Sequence, residues 1–332
     1  MQTQDFQIPQ IAVAMQELEN HLLASVESDD PFLTEISTHL IGAGGKRIRP
    51  TLALASALSV SATLDQRSYH GAVAVELVHL ASLHHDDVMD EATSRRNADS
   101  VNKRWGNLIA VVTGDFLLAR AAGIAARLGS EVAELLADTL ADMCAGQILE
   151  VKSGFNLNRN EQEYYEAISG KTASLLATSC KIGASVAGGS EDEKTLLCSL
   201  GYNFGMIFQI RDDVLDLVAD SSTLGKTPGQ DLVEGVYTLP VIYGLSDPET
   251  SESLGELLKS SNIDLPKINQ ILFDGGAFLR SVEALGRYLQ KCKEVANDLN
   301  SAPIWDVVEV AGSLVDSLTQ ILEVFPNRWR TL

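Results

Sequence analysis

Apolar residues recur at three- and four-residue spacings along most of this chain, the spacing of helices that bury one face. "YHGAVAVELVHLASLHHDDVMDEAT" holds the pattern over several turns. So do "NLIAVVTGDFLLARAAGIAARLG", "EVAELLADTLADMCAGQILEVKSG", "TASLLATSCKIGASVAGG" and "EKTLLCSLGYNFGMIFQIRDDVLDLVAD". The pattern breaks at Gly-rich or polar points: "GAGGKRIRP", "NLNRNEQ", "AGGSEDE", "STLGKTPGQDLVEG" and "LSDPETSES". No run of alternating strands appears, and no Gly/Ser or Pro-rich linker is long enough to divide the chain. The expectation is an all-α fold, a single domain over residues 1–332 with ten or more helices. The tail "IWDVVEVAGSLVDSLTQILEVF" is amphipathic but acidic and reads as a packing helix.

Composition narrows the function more than the fold. Apolar residues make up 45% and charged residues 21%, ordinary for a globular protein. The net charge of −20 argues against nucleic acid, whose phosphates need clustered Lys and Arg. Cys144, Cys180, Cys198 and Cys292 show no CxxC spacing and sit in helical surroundings, so reduced core thiols of a cytoplasmic protein are expected. The N-terminal "MQTQDFQIPQIAVAMQELENHLL" lacks a basic segment followed by an apolar one, so no secretory leader is expected. No stretch reaches the roughly 18 uncharged apolar residues of a membrane span, and no basic amphipathic helix offers an anchor.

The candidate chemistry lies in two acidic motifs. "HHDDVMDEATSRRN" and "QIRDDVLDLV" each carry DDVxD after an apolar helical run. Residues four apart lie about 40° from one another on a helix, so Asp86 and Asp90 share a face, as do Asp212 and Asp216. Like charges at that spacing repel, and an apolar setting raises the cost of keeping them ionised. An all-oxygen set with no nearby Cys points to a hard cation such as Mg²⁺, held by carboxylates and substrate phosphates.

With only 25 Lys and Arg against 45 acids, grouped cations are informative. Lys46, Arg47 and Arg49 follow a Gly pair whose amides could also meet a phosphate. Arg95 and Arg96 follow the first acidic motif, and Lys226 follows the second. Lys171 and Thr172 read as opening a helix at "SGKTAS", where a helix N-terminus adds its own anion site. Carboxylates for metal and cations for phosphates together suggest two diphosphates.

In that order, "GGKRIRP", "HHDDVMDEATSRRN", "GKTA", "FQIRDDVLD" and "GKTPGQDLVEGVYTLP" resemble the trans-isoprenyl diphosphate synthases, the all-E polyprenyl synthetases, over residues of about 40 to 245. The resemblance implies a helical bundle of the isoprenoid synthase type around a central active-site cavity. It implies two or three Mg²⁺ ions that draw off the diphosphate of an allylic substrate, leaving a carbocation for isopentenyl diphosphate to attack. Asp86, Asp90 and Asp212 would ligate metal, with Asp87, Asp213 and Asp216 alongside. Arg95, Lys171, Thr172, Gln209 and Lys226 would hold the allylic diphosphate, with Lys171 counted as catalytic too. Gly45, Lys46, Arg49, His79 and Arg96 would hold isopentenyl diphosphate; His85 would stand one shell further out. The released diphosphate would take the final proton, so no nucleophile is required.

Two features qualify the resemblance. Many relatives carry Lys where this chain has Val236, a cation associated with the allylic diphosphate and the carbocation. Short-chain relatives carry aromatic rings four or five residues before the first Asp, where this chain has the small Ser82 and Ala81. A growing chain could then pass between helices lined by Leu80, Leu117 and Ala121. The expected product is a long all-trans polyprenyl diphosphate, roughly thirty to fifty carbons, of the kind used for quinone side chains. A homodimer with at most transient membrane contact is expected. A class I terpene cyclase and a regulatory subunit of a heteromeric synthase are the alternatives, each disfavoured by the intact motifs.

Overall fold

The computed structural model describes residues 8–96, 98–219, 228–260 and 262–329. It is all-α, as the periodicity requires, apart from one short hairpin. The helices up to the first acidic motif are α1 (Pro9–Ser25), α2 (Pro31–Gly42), α3 (Ile48–Val60) and α4 (Gln66–Met89). The hairpin β1 (Ser94–Arg95) and β2 (Ala98–Asp99) follows, with Arg95 opposite Ala98. Next come α5 (Val101–Trp105), α6 (Asn107–Leu128), α7 (Ser130–Lys152) and α8 (Glu161–Ile168). A π-helical turn, Ser169–Ala173, leads into α9 (Ser174–Val186), and α10 (Glu191–Val218) carries the second acidic motif. The C-terminal part holds α11 (Gln230–Val233), α12 (Leu239–Ser246), α13 (Ser251–Leu258), α14 (Leu265–Asp274), α15 (Ala277–Leu299) and α16 (Ala302–Trp329).

The chain forms two compact units interleaved along the sequence. The first comprises Met1–Ala141, Leu175–Gly201 and Val295–Val307; the second comprises Asp142–Ser174, Tyr202–Glu294 and Val308–Leu332. In the first, α4 packs on α1, α3 and, most extensively, α6. Leu18, Leu22, Leu52, Leu54, Leu77, Leu80, Leu117 and Ala121 are buried there almost completely. Asp65 starts α4 with a reciprocal capping box: its carboxylate accepts the Ser68 N–H at 2.9 Å, and its own N–H reaches the Ser68 hydroxyl at 3.3 Å. In the second unit, Phe204, Met206, Ile207, Ile210, Leu239, Val241 and Leu272 form the core.

One helix is notably apolar. By length and composition α6 is apolar enough to cross a membrane, although only 39% of its apolar window is buried. Asp115 and Arg120 divide its apolar run, so it holds no uncharged stretch of that length. Its buried residues, among them Leu117, Ala121, Ile124 and Ala125, mark a core-facing side, while Leu108, Val111 and Val112 are exposed on it.

Candidate active site

Each acidic motif occupies the last turns of a long helix. Unpaired carbonyls leave about half a negative charge at a helix C-terminus, so carboxylates placed there deepen a potential that favours a cation. On α4, Asp90 is the C-cap and its N–H bonds the Asp86 carbonyl at 2.8 Å. Asp86 is half-buried and Asp90 is exposed, whereas Asp87 is fully buried. Arg95 closes on Asp87 Oδ1 through Nε at 2.7 Å and Nη2 at 2.5 Å. Burial pushes the Asp87 carboxyl above its usual range, and Arg95 works against that. Asp87, grouped with the metal ligands from sequence, is thus placed in the core as the anchor of Arg95, while Asp86 and Asp90 stay accessible.

The two histidines before the motif serve the fold. His84 is fully buried, its Nδ1 lies 2.7 Å from the Leu80 carbonyl, and burial lowers its pKa to about 4. His85 Nε2 lies 3.3 Å from the Val111 carbonyl and 3.5 Å from Asp115 Oδ1.

The basic group of the first unit is built around the α2–α3 connection. Arg47 takes a left-handed backbone (φ 47°) and its guanidinium is spent inside the protein. It donates to Glu19 at 2.6 and 3.1 Å, to Glu76 at 2.9 Å and to the Ile41 carbonyl at 3.1 Å. Arg49, two residues on, differs: its Nε is sealed from solvent and meets no hydrogen-bond partner among the described residues. Burial lowers its pKa to about 10, the charge of Arg96 adds to this, and Glu76 and Asp86 oppose it. It remains a cation at neutral pH.

Arg96, also left-handed (φ 55°), donates to the Gly44 carbonyl and to the Leu40 carbonyl at 3.3 Å. Its guanidinium lies across Gly45, where a Cβ would come within 2.6 Å of Cζ on a backbone of φ 144° that disfavours any side chain. Gly45 is therefore the floor that lets Arg96 lie flat. Lys46 is exposed beside it. Burial, then Arg49, Arg96, Arg47 and Arg95 in turn, hold the His79 pKa well below its usual value, so its ring is neutral at pH 7. Replacing Arg47 by Met is expected to cost about 3–5 kcal/mol, because Glu76 would be left buried without its cation. Urea unfolding midpoints measure this loss.

In the second unit the structure corrects one expectation. Lys171 and Thr172 do not open a helix; they sit in the π turn between α8 and α9, inside a continuous helical stretch. No free N-terminal amides are offered there. The turn forms against α7, where a Cβ on Gly146 would lie 2.3 Å from the Lys171 nitrogen and one on Gly170 would lie 2.6 Å from the Asp142 carbonyl. Two glycines thus let two backbones touch, and wide turns of this kind gather at functional sites. Lys171 Nζ pairs with Glu150 of α7.

Thr172 Oγ1 donates to Gln209 Oε1 at 2.7 Å, and Gln209 Nε2 donates to Asp213 Oδ1 at 2.7 Å. Tyr164 Oη donates to Asp213 Oδ2 at 2.6 Å. Burial, then the charges of Asp231 and Asp212, push the Asp213 carboxyl well above its usual range. Asp216 is buried and accepts the Asp231 N–H at 3.3 Å, while Asp212 is exposed. Val236 is half-buried, its N–H bonded to the Asp231 carbonyl at 2.8 Å. Lys226 lies outside the described residues. Sequence reasoning passed over Tyr164 and Glu150, since neither falls in a motif; the small-residue spacing at Gly146 and Gly170 was the one available signal.

Among the described residues no three His, Cys, Asp or Glu side chains stand close enough to hold a metal by themselves. Mg²⁺ commonly takes one or two carboxylates and completes its shell with water and phosphate oxygens, which Asp86 with Asp90 at a helix C-terminus can satisfy.

The sequence model of the Polyprenyl synthetase family matches residues 30–273. The chain is a prenyltransferase of the polyprenyl synthetase family. Component 2 of the heptaprenyl diphosphate synthase of Bacillus subtilis is 37% identical to this polyprenyl synthetase over 285 residues, 85% of this chain and 81% of that one. The nonaprenyl diphosphate synthase of Mycobacterium tuberculosis is 39% identical over 219 residues, 66% of this chain and 65% of that one. Among solved structures, heptaprenyl diphosphate synthase of Staphylococcus aureus superposes with a TM-score of 0.85 at 27% identity, covering 92% of this synthetase and 98% of that chain. A polyprenyl synthase of Caulobacter crescentus, complexed with calcium and isoprenyl diphosphate, gives 0.83 at 29% identity, covering 92% and 95%.

Proposed function

We propose that this prenyltransferase condenses isopentenyl diphosphate with an allylic diphosphate, in a Mg²⁺-dependent reaction, to make a long all-trans polyprenyl diphosphate. The observation that carries the reading is Arg49, a half-buried cation beside Arg96 and neutral His79 whose Nε meets no partner among the described residues. Arg49 is only half-buried, so its guanidinium would meet a diphosphate with charge-assisted hydrogen bonds. Asp86, Asp90 and Asp212 are the accessible carboxylates that would hold Mg²⁺. The metal would supply charge stabilisation to the departing diphosphate. Arg95, Lys171, Thr172 and Gln209 would bind the allylic diphosphate; Gly45, Lys46, Arg49, His79 and Arg96 would bind the isopentenyl one. The whole chain would act as one synthase domain, in the cytoplasm, supplying quinone side chains.

Long chain length is supported by small side chains ahead of the motif. Ala81 is fully buried, Ser82 turns its hydroxyl back to the His79 carbonyl at 2.8 Å, and neither presents a ring. Replacing Ala81 by Phe should shorten the product to twenty carbons or fewer, read by reverse-phase chromatography after dephosphorylation.

The test of the reading is incubation with labelled isopentenyl diphosphate, Mg²⁺ and dimethylallyl, geranyl, farnesyl or geranylgeranyl primers offered separately. Products beyond twenty carbons support it. A stop at fifteen or twenty carbons rejects the long-chain part.

A second reading has its own observations. The B. subtilis relative is a component 2, and Val236 stands where the family resemblance leads to the expectation of a cation. Exposed apolar side chains, Leu108, Val111 and Val112 on α6 and Ile148, Leu149 and Val151 on α7, would suit a companion chain. A second copy is our preferred companion. Activity that appears only on adding a non-identical subunit would favour the heteromer.

A further inference from the structure

We propose that Asp213, although it stands in the second acidic motif, is a positioning residue and not a metal ligand. With Tyr164 it sets Gln209 and the π turn for the allylic diphosphate, a role that rests on the function proposed above. Both oxygens of this buried carboxylate are already taken by fixed donors, Tyr164 Oη on Oδ2 and Gln209 Nε2 on Oδ1. Only 5% of Asp213 is exposed, so between these donors it turns almost no open face to a metal ion, whereas neighbouring Asp212 is exposed to solvent.

Tyr164 is an anchor that does not move freely. It is 1% exposed, and the Arg159 guanidinium lies 5.5 Å from its ring centroid. Arg159 is held in turn by the Tyr237 carbonyl at 2.9 Å. From that anchor the chain of contacts runs Tyr164, Asp213, Gln209, Thr172, and ends in the turn that carries Lys171.

The polarity of the chain gives it a use. An amide nitrogen has two hydrogens; Asp213 takes one from Gln209 and leaves the other for an anion. The Gln209 oxygen takes the Thr172 hydroxyl, which ties the π turn to α10. Without Tyr164 Oη, Asp213 loses its second fixed contact, and Gln209 and Thr172 lose their shared orientation. A positioned group held by its neighbours is worth most where a substrate must be met at a set geometry.

Tyr164→Phe removes only the hydroxyl. The expected result is a rise of about tenfold in KM for the allylic diphosphate, the loss of one buried hydrogen bond. KM for isopentenyl diphosphate and the Mg²⁺ concentration for half-activation should stay within about twofold of wild type. Asp213→Asn should show the same split, and it decides the matter if Tyr164→Phe fails to fold. A rise of about tenfold or more in the Mg²⁺ requirement of Asp213→Asn would overturn the proposal, since it would tie Asp213 to the metal and not to the allylic diphosphate. A second readout needs no turnover: amide hydrogen exchange of residues 169–174 in substrate-free protein should quicken about tenfold in Tyr164→Phe. Unchanged exchange would also overturn it. If the wild-type chain makes no product, the function proposed above fails, and the exchange experiment still judges the Tyr164–Asp213 link.

Discussion

Replacing Arg49 by Met is expected to raise KM for isopentenyl diphosphate by about a hundredfold while leaving the protein as stable as before, or more stable by about 1 kcal/mol. The two effects have one cause. Among the described residues the Arg49 Nε is shielded and meets no hydrogen-bond partner, and Arg96 repels the guanidinium. A Met of similar length removes the charge and the orphan donor and keeps the packing of the stem. The same guanidinium is what a diphosphate would meet, at the strength of a charge-assisted bond. Steady-state kinetics with the allylic substrate saturating, together with thermal melts, would show the split. A large loss of stability with an unchanged KM would mean that Arg49 is structural, as Arg47 is.

Asp86→Asn is expected to lower kcat by about a hundred- to a thousandfold, the usual cost of removing one group that stabilises charge developing in the transition state. Asp86 lies one turn from the α4 C-cap, where the helix end is already negative, and its replacement halves the accessible carboxylate pair. Raising Mg²⁺ should recover part of the loss, because the remaining Asp90 still offers one ligand. Asp87→Asn should behave differently. Arg95 would lose its ion pair with a buried carboxylate, so a fall in melting temperature should accompany any fall in rate. Rates measured across a Mg²⁺ series, with melts for both variants, separate the two. Equal and purely kinetic effects would overturn this assignment of the two neighbours.

Much of this was legible in the sequence because helix periodicity and Gly-rich breaks are local signals. "GAGGKRIRP" falls between α2 and α3, "NLNRNEQ" leads into α8, and "AGGSEDE" separates α9 from α10. The cations and carboxylates were legible as a set, since few basic residues stand in so acidic a chain. What did not show was the direction in which each points. Asp87 and Asp86 are adjacent and identical, yet one faces the core and meets Arg95. Arg47 and Arg49 are two positions apart, and only the partners supplied by Glu19 and Glu76 from distant segments tell them apart. "SGKTAS" looked like a helix start because Ser and Gly begin helices; the contact of Gly170 with the Asp142 carbonyl, which turns it into an interior turn, comes from 28 residues away.

That turn is also a phase shifter. A π turn holds one residue more than an α turn, so α9 is rotated by about 100° from where an unbroken α8 would have carried it. Almost all of α9 is buried, Leu175, Leu176, Cys180 and Ile182 among its residues, so a change of phase at the turn would move many packed side chains at once. Lys171 and Thr172 occupy the widened turn itself. A single-residue deletion there would force a choice between burying α9 and aiming Lys171, so insertions and deletions should be tolerated at the loops of this chain far more readily than at residues 169–173.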